Sequence, residues 1–180
     1  MEKTNIFAKL EINIMDVMKE NQIKIGYRSE MVRLYYPLQS LNRFLKSDES
    51  ADEMQKILSD YFDLGKSRLG NVEISHKGDR FCLQIPTETA DYVHENMHEN
   101  EFIQKFIHMI QRHGITIEEL LAVFREYSEH VHFEKINGGE FDYLIYFENE
   151  IPDDYRYCIT DEGCHMTYHR FTPDDYMDIV

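Results

Sequence analysis

The sequence predicts an α+β fold, in which N-terminal and central helices pack on an antiparallel sheet of β-hairpins concentrated in the C-terminal third. Two features of the apolar pattern support this prediction. Through most of the first 129 residues, apolar side chains recur at spacings of three and four, which is typical of amphipathic helices. From residue 130 onward the spacing becomes two, and turn residues separate the alternating segments, as in hairpins. We expect three hairpins to share one sheet that helices cover on one side.

The first helix is predicted to begin after Thr4, which can act as its N-cap, and to end near Asn21. Ile23 and Ile25 then alternate as a short extended stretch before Gly26. The apolar stripe of this helix follows helical spacing: Phe7, Leu10, Ile14 and Val17.

A second helix is predicted from Ser29, with an apolar stripe that continues to Leu45. Pro37 lies inside this stripe and has no amide hydrogen to donate, so the helix should kink or restart near Tyr36. A third helix is predicted after Ser50, and its apolar stripe consists of Met54, Ile57, Leu58, Tyr61 and Phe62.

The first hairpin is predicted over residues 71–85, with its turn at Lys77-Gly78-Asp79. Three helices are expected to follow it. Thr87 is the expected N-cap of the first of these and Asn100 that of the second. Before the third, Thr116 and Glu119 have the spacing of a capping box, in which each side chain accepts a backbone amide of the other residue.

Two further hairpins are predicted near the C-terminal end. The first spans residues 130–147 around Asn137-Gly138-Gly139, where Asn and Gly tolerate the positive φ of a tight turn. The second spans residues 155–171 around Asp161-Glu162-Gly163. A length of 180 residues suits one α+β domain, residues 1–180, and any division into subdomains is expected between residues 85 and 86.

The chain carries 34 acidic and 19 basic side chains, which gives a formal net charge of −15. Residues 1–46 have a net charge of +3 and residues 47–85 of −3, whereas residues 86–180 combine six basic with 21 acidic side chains. An acidic surface of this kind repels phosphate backbones and anionic lipids. We therefore expect no nucleic-acid or membrane partner, and a basic protein partner fits better.

The compartment is predicted to be the cytoplasm. No segment approaches the roughly 18 uncharged apolar residues that span a bilayer, and charged residues stand where a secretory signal is apolar. The three cysteines, Cys82, Cys158 and Cys164, are an odd number and lack metal-binding spacing, so we expect reduced thiols. A disulfide between Cys158 and Cys164 is the alternative. We identify no activating pattern near any of the three.

One segment, His94-Glu95-Asn96-Met97-His98, matches H-E-x-x-H on a predicted helix. With Glu118 twenty residues after His98, it resembles thermolysin-like zinc peptidases. The resemblance implies that His94, His98 and Glu118 bind zinc and that Glu95 acts as general base on a metal-bound water. The alternative is a solvated helix end, because Glu99 and Asn100 follow where such peptidases have uncharged and apolar residues.

A second group of histidines lies in the predicted strands. His130 and His132 share one face of their strand, and His165 and His169 share one face of theirs. If the two strands were neighbours, the four rings could converge on a metal ion or form a pH-sensitive patch. The alternative is that they lie on the solvent-facing side of the sheet.

The two helices around residue 114 and the hairpin after them have the order of a winged helix-turn-helix. Glu118, Glu119, Glu126 and Glu129 are predicted on the exposed side of the second helix, against Arg125 alone. Four carboxylates facing phosphate oppose binding, so we reject DNA recognition by this element. A protein-binding use of the same topology stays open.

The sequence therefore favours a non-enzymatic interaction or regulatory protein whose acidic C-terminal half binds a basic protein partner, for example as an inhibitor that masks a cationic site. No cofactor is expected for this function. The alternative is a zinc-dependent hydrolase built on the H-E-x-x-H segment. A third interpretation is a small-ligand sensor that uses the 23 Tyr and Phe side chains, most of which we expect in the core.

Overall fold

The structure is a computed structural model that describes residues 3–63, 65, 67–98, 100–137 and 139–177, with the side chains described from residue 6 onward. The Thr4 side chain, expected as an N-cap, lies outside the described residues. The chain forms two compact units, residues 1–98 (unit 1) and residues 99–180 (unit 2). The fold class predicted from the sequence is confirmed, because helices combine with antiparallel sheets and the larger sheet lies in the C-terminal third.

Unit 1 combines four helices with a three-stranded antiparallel sheet in the order β1-β3-β2, among the residues described. Its elements are α1 (Lys3–Ile25), β1 (Val32–Pro37), α2 (Leu38–Leu45), α3 (Ala51–Asp63), β2 (Glu73–Lys77), β3 (Arg80–Ile85) and α4 (Thr87–Asn96). Helices α1, α2 and α3 contribute fully buried apolar side chains to its core, and so do the strands; the largest are Leu10, Ile14, Met18, Leu41, Met54, Phe62 and Phe81.

The prediction of one long second helix is wrong in its first half, which is strand β1. In β1, Leu34 faces Leu83 and Tyr36 faces Phe81 of β3, and both β1 side chains are buried. The intervening Tyr35 is exposed, so burial alternates with the period of a strand. The break predicted near Tyr36 is observed, since Pro37 has extended backbone and α2 begins directly after it, although a strand and not a helix comes before the break. Pairing with β3 thus outweighs the helical spacing.

The prediction of an extended stretch from Ile23 to Ile25 is also wrong, because α1 continues to Ile25. The helix ends where Gly26 adopts a φ of 83°, a left-handed conformation that favours glycine.

Unit 2 combines two packed helices with a four-stranded antiparallel meander in the order β4-β5-β6-β7. Its elements are α5 (Glu101–Ile110), α6 (Ile117–Tyr127), β4 (Val131–Lys135), β5 (Tyr143–Phe147), β6 (Arg156–Asp161), β7 (Met166–Phe171) and a short α7 (Pro173–Tyr176). The first hairpin is not part of this sheet, so the expectation of one shared sheet is wrong. That hairpin has β1 as its partner instead.

Aromatic rings from α5, α6, β5 and β6 form the core of unit 2. Phe102 lies at its centre, with its ring centroid 4.9 Å from those of both Phe124 and Phe147 and 5.8 Å from that of Tyr157. All four side chains are fully buried. Edge-to-face packing of this kind adds to the gain from burying apolar area.

The predicted helix starts differ in outcome. The Asn100 side chain accepts the Phe102 amide, and Thr116 and Glu119 form both hydrogen bonds of the capping box. Thr87 is not an N-cap, because Pro86 occupies that position and α4 begins without a side-chain cap. Among the described residues, no helix is both long enough and apolar enough to cross a membrane.

Candidate functional site

The H-E-x-x-H segment lies at the C-terminal end of α4. The helix ends at Asn96, and Met97 has extended backbone (φ −91°, ψ 114°), so His98 lies beyond the helix. The two histidines therefore do not share a helical face, as the zinc motif requires. The His94 ring instead stacks on Tyr27, with centroids 3.8 Å apart and planes 5° apart.

The other members of the predicted zinc site are exposed. Glu95 lies in the last turn of α4 and Glu118 in the first turn of α6, which belongs to unit 2. Within the described part of the chain, no group of three or more His, Cys, Asp or Glu side chains is placed to hold a metal ion. Zinc binding by His94, His98 and Glu118, with Glu95 as base, stays a prediction from the sequence.

The hypothesis that the strand histidines converge on one site is wrong. His132 lies in β4 and His169 in β7, and these strands are the two opposite edges of the meander. Three strand spacings separate them, about 14 Å in total. The alternative of a Cys158–Cys164 disulfide is not observed, because both thiols are free and Cys158 faces His169 across the β6–β7 pair.

One end of the unit 2 sheet is strongly acidic. The β5–β6 connection, residues 148–154, which we call the acidic loop, lies at this end beside the residues that precede β4 and follow β7. Within the described residues, the exposed carboxylates of this end form no ion pair; they are Glu129, Glu148, Glu150, Asp154 and Asp174. We call these five residues the acidic end.

The acidic loop is fixed in position by hydrogen bonds. The Glu148 amide donates to the His130 carbonyl (3.0 Å), and the Asn100 side chain donates to the Pro152 carbonyl (3.4 Å). Asp153 anchors the loop to the sheet, since its carboxylate accepts the Tyr157 hydroxyl (2.6 Å) and the Tyr155 amide (3.2 Å). Loop residues held in this way lose little conformational entropy when a partner binds.

Asp153 differs in character from the exposed carboxylates around it. Burial raises the pKa of Asp153, although the hydrogen bond from Tyr157 and the nearby charge of Arg170 act in the opposite direction. Burial also raises the pKa of Tyr157 well above its ordinary value, so its hydroxyl keeps the proton that it donates to Asp153. This pair therefore serves to hold the loop.

Two arginines at the same end are held on aromatic rings. The Arg156 guanidinium lies 3.9 Å from the centre of the Tyr146 ring, and that of Arg170 lies 4.0 Å from the centre of the Tyr155 ring. Arg156 also donates to the Asp154 carbonyl (3.0 Å). Such cation–π contacts hold the two charges against the sheet.

The acidic loop also carries an exposed apolar side chain, Ile151, of which 62% is accessible. It stands next to Glu150 in sequence and two residues before Asp153. The sequence analysis identified the acidity of this region but not the loop itself. The sequence does contain one signal for the loop. Ile151 is an isolated apolar residue next to Pro152 in an acidic turn segment, and such a residue has no apolar neighbours in sequence with which to form a core.

The fold and this surface together define a two-unit α+β protein with an acidic loop that is held by hydrogen bonds and exposes one apolar side chain. Over residues 7–180 the chain matches the family model described as "Domain of unknown function, E. rectale Gene description (DUF3877)", and the chain belongs to that family. The comparison with curated proteins and the comparison with solved structures each gave no significant match.

Proposed function

We propose that the protein is a non-enzymatic, cytoplasmic interaction protein that binds a basic protein partner through the acidic end of unit 2. The observation that carries the proposal is the acidic loop, in which an exposed Ile151 lies among carboxylates and the backbone is fixed by hydrogen bonds. An apolar centre with a charged surround is the usual anatomy of a protein interface.

The charge balance of unit 2 supports this proposal. Residues 99–180 contain 18 acidic and six basic side chains, a net charge of −12. Half of the basic side chains already have partners within the unit: Lys105 with Glu126, Arg156 on Tyr146, and Arg170 on Tyr155. The exposed carboxylates of the acidic end are thus available to cations of another molecule.

The chemistry of the partner follows from this surface. Lysine or arginine side chains would face Glu148, Glu150 and Asp154, and an apolar side chain or shallow pocket would receive Ile151. Charges that remain exposed accelerate association more than they strengthen the final complex. Because the Debye length is about 10 Å at 0.1 M salt, association should weaken as ionic strength rises.

A random-peptide library displayed on phage and selected against the full chain at low salt tests the proposal. Enriched peptides should combine Lys or Arg with an apolar residue. Binding of one such synthetic peptide should weaken by about tenfold or more in a Glu148→Gln/Glu150→Gln variant, and separately in Ile151→Ala.

The matched control is Glu118→Gln/Glu140→Gln, which removes the same charge from exposed positions elsewhere in unit 2. This variant should keep most of the peptide affinity. Equal losses in the two double variants would show that only net charge matters, and selection of peptides without basic residues would overturn the proposal.

The alternative function, a zinc-dependent hydrolase, has a separate test. Protein purified without chelators is analysed for zinc, and the thermal stability of the wild type and of His94→Ala is measured with and without added zinc. Because α4 ends before His98, we expect the wild-type protein to contain no stoichiometric zinc and to gain no thermal stability from added zinc. Bound zinc that is lost in His94→Ala would favour the hydrolase instead.

A further inference from the structure

The turn between β6 and β7 places a cysteine, a histidine and a carboxylate in one hydrogen-bonded row. Cys164 Sγ lies 3.3 Å from His165 Nδ1, and His165 Nε2 lies 2.8 Å from Glu162 Oε2. All three side chains are exposed. The sequence analysis identified no activating pattern near any cysteine, and the structure places the His165 ring beside Cys164.

The backbone of this turn is held on both sides. The Glu162 amide donates to the His165 carbonyl (3.0 Å), and the Gly163 amide donates to Asp161 Oδ1 (2.8 Å). From outside the turn, the Gly114 amide donates to the Cys164 carbonyl (2.9 Å). These bonds fix the backbones of the three residues relative to one another.

The row has the chemical order of an activated nucleophile: a thiol, a base within reach of it, and a third group that orients the base. The His165 imidazole lies within hydrogen-bonding distance of the sulfur and can accept its proton, while Glu162 orients the ring from the other nitrogen. Both ring nitrogens of His165 take part in the row, because Nε2 faces the Glu162 carboxylate and Nδ1 faces the Cys164 sulfur.

The other two cysteines provide the contrast. Cys158 is fully buried, and burial raises the pKa of its thiol to about 11, which opposes thiolate formation. Cys82 is half-buried in β3 opposite Tyr35. The constellation at Cys164 therefore distinguishes it from both.

We propose that Cys164 is a site of thiol–disulfide exchange with low-molecular-weight disulfides, with His165 and Glu162 as positioning residues. The Cys164 proton moves to the imidazole, the thiolate attacks one sulfur of R–S–S–R, and a Cys164–S–S–R bond forms. The original S–S bond breaks and its electron pair leaves with the second sulfur as R–S⁻. The attacking sulfur is oxidised, the leaving sulfur is reduced, and the small disulfide is the oxidant. Because all three side chains are exposed, a small reagent can reach the sulfur.

The test measures the rate at which oxidised glutathione adds to each cysteine of the full chain, by quenching with acid and mapping peptides by mass spectrometry. Cys164 should react first, and about tenfold or more faster in the native protein than in the same protein unfolded in urea. The unfolded chain is the internal reference, since it has the same thiol without its neighbours.

Variants separate activation from simple exposure. His165→Ala and Glu162→Gln should lower the native rate toward the unfolded reference, whereas His169→Ala, which changes a histidine of the same hairpin that contacts Phe141 and Phe171, should not. Near-ultraviolet circular dichroism checks that each variant is folded. Equal native and unfolded rates, or a native rate unchanged in His165→Ala, would overturn the proposal.

Discussion

Glu11 shows how single residues of this protein depend on distant partners. It lies on α1 with only 5% of its surface exposed, where a lone carboxylate would be strongly unfavourable. The Tyr61 hydroxyl of α3 donates to Glu11 Oε1 (2.9 Å), and the Arg68 amide donates to the same oxygen (3.2 Å). The Tyr61 ring also stacks on Phe7, with centroids 3.8 Å apart. Tyr61 thus joins α1 to α3 by both a polar and an apolar contact.

We expect Tyr61→Phe to lower the free energy of unfolding by about 1–2 kcal/mol, because it keeps the ring stack and removes a hydrogen-bond donor to a buried carboxylate. Urea unfolding followed by circular dichroism measures the change. Tyr92→Phe is the control, since the Tyr92 side chain is 52% exposed, and it should leave stability unchanged. Equal stability of the two variants would contradict a structural role for the hydrogen bond.

The same residue predicts a dependence on alkaline pH. Burial, with the hydrogen bond to Glu11 as the second cause, raises the pKa of Tyr61 from 10.0 to about 12. A raised pKa means that this contribution to stability is complete below pH 10 and is lost as the pH rises toward 12. The stability difference between wild type and Tyr61→Phe should therefore narrow between pH 10 and pH 12. A difference that stays constant over this range would contradict the assignment.

Helix starts show how far local sequence determines an element. The capping box of α6 forms as predicted, because Thr116 and Glu119 satisfy two amides that the helix leaves without partners. At α4 the same reasoning fails, since Pro86 has the extended backbone of an N-cap and supplies no side-chain acceptor. Strand β1, which the sequence pattern assigned to a helix, shows the limit of local sequence. Its residues have helical apolar spacing, but β3 offers a row of backbone partners that only the folded chain brings near.

We expect Thr116→Ala to cost about 1 kcal/mol of stability, the usual effect of losing an N-cap hydroxyl. Thr87→Ala should cost much less, because the first residue of α4 is not its cap. Urea unfolding of both variants measures the contrast. A larger loss in Thr87→Ala than in Thr116→Ala would show that the two helix starts are assigned wrongly.

At the scale of the whole molecule, the two structural units differ strongly in net charge. Unit 1 has a net charge of −3 and unit 2 of −12, although the two are of similar length. Each unit has its own sheet and its own buried core. The sequence predicted one domain with any division after residue 85, and the experiment below tests that prediction directly.

We expect residues 99–180, expressed alone, to fold cooperatively, because the aromatic cluster around Phe102 and the complete meander lie within them. Thermal unfolding followed by near-ultraviolet circular dichroism should give one sharp transition, and Phe102→Ala should abolish it, given a cost of about 3–5 kcal/mol for removing a buried Phe. A broad or absent transition in the unsubstituted fragment would indicate that the chain folds only as one domain.

The sequence by itself determined the α+β class, the turns of the first and third hairpins, the caps at Asn100 and Thr116, and the concentration of acidic residues in the second half. These features depend on contacts within a few residues, or on composition alone, so they can be predicted from the sequence. Only the tertiary structure decided which strands pair, that β4 and β7 lie at opposite edges and keep their histidines apart, and that His98 falls beyond the end of α4. It also decided that Asp153 is half-buried and hydrogen-bonded to Tyr157 while Ile151 is exposed. Each of these outcomes depends on partners far away in sequence, because hydrogen bonding between strands and the burial of apolar surface outweigh the local preferences of the residues involved.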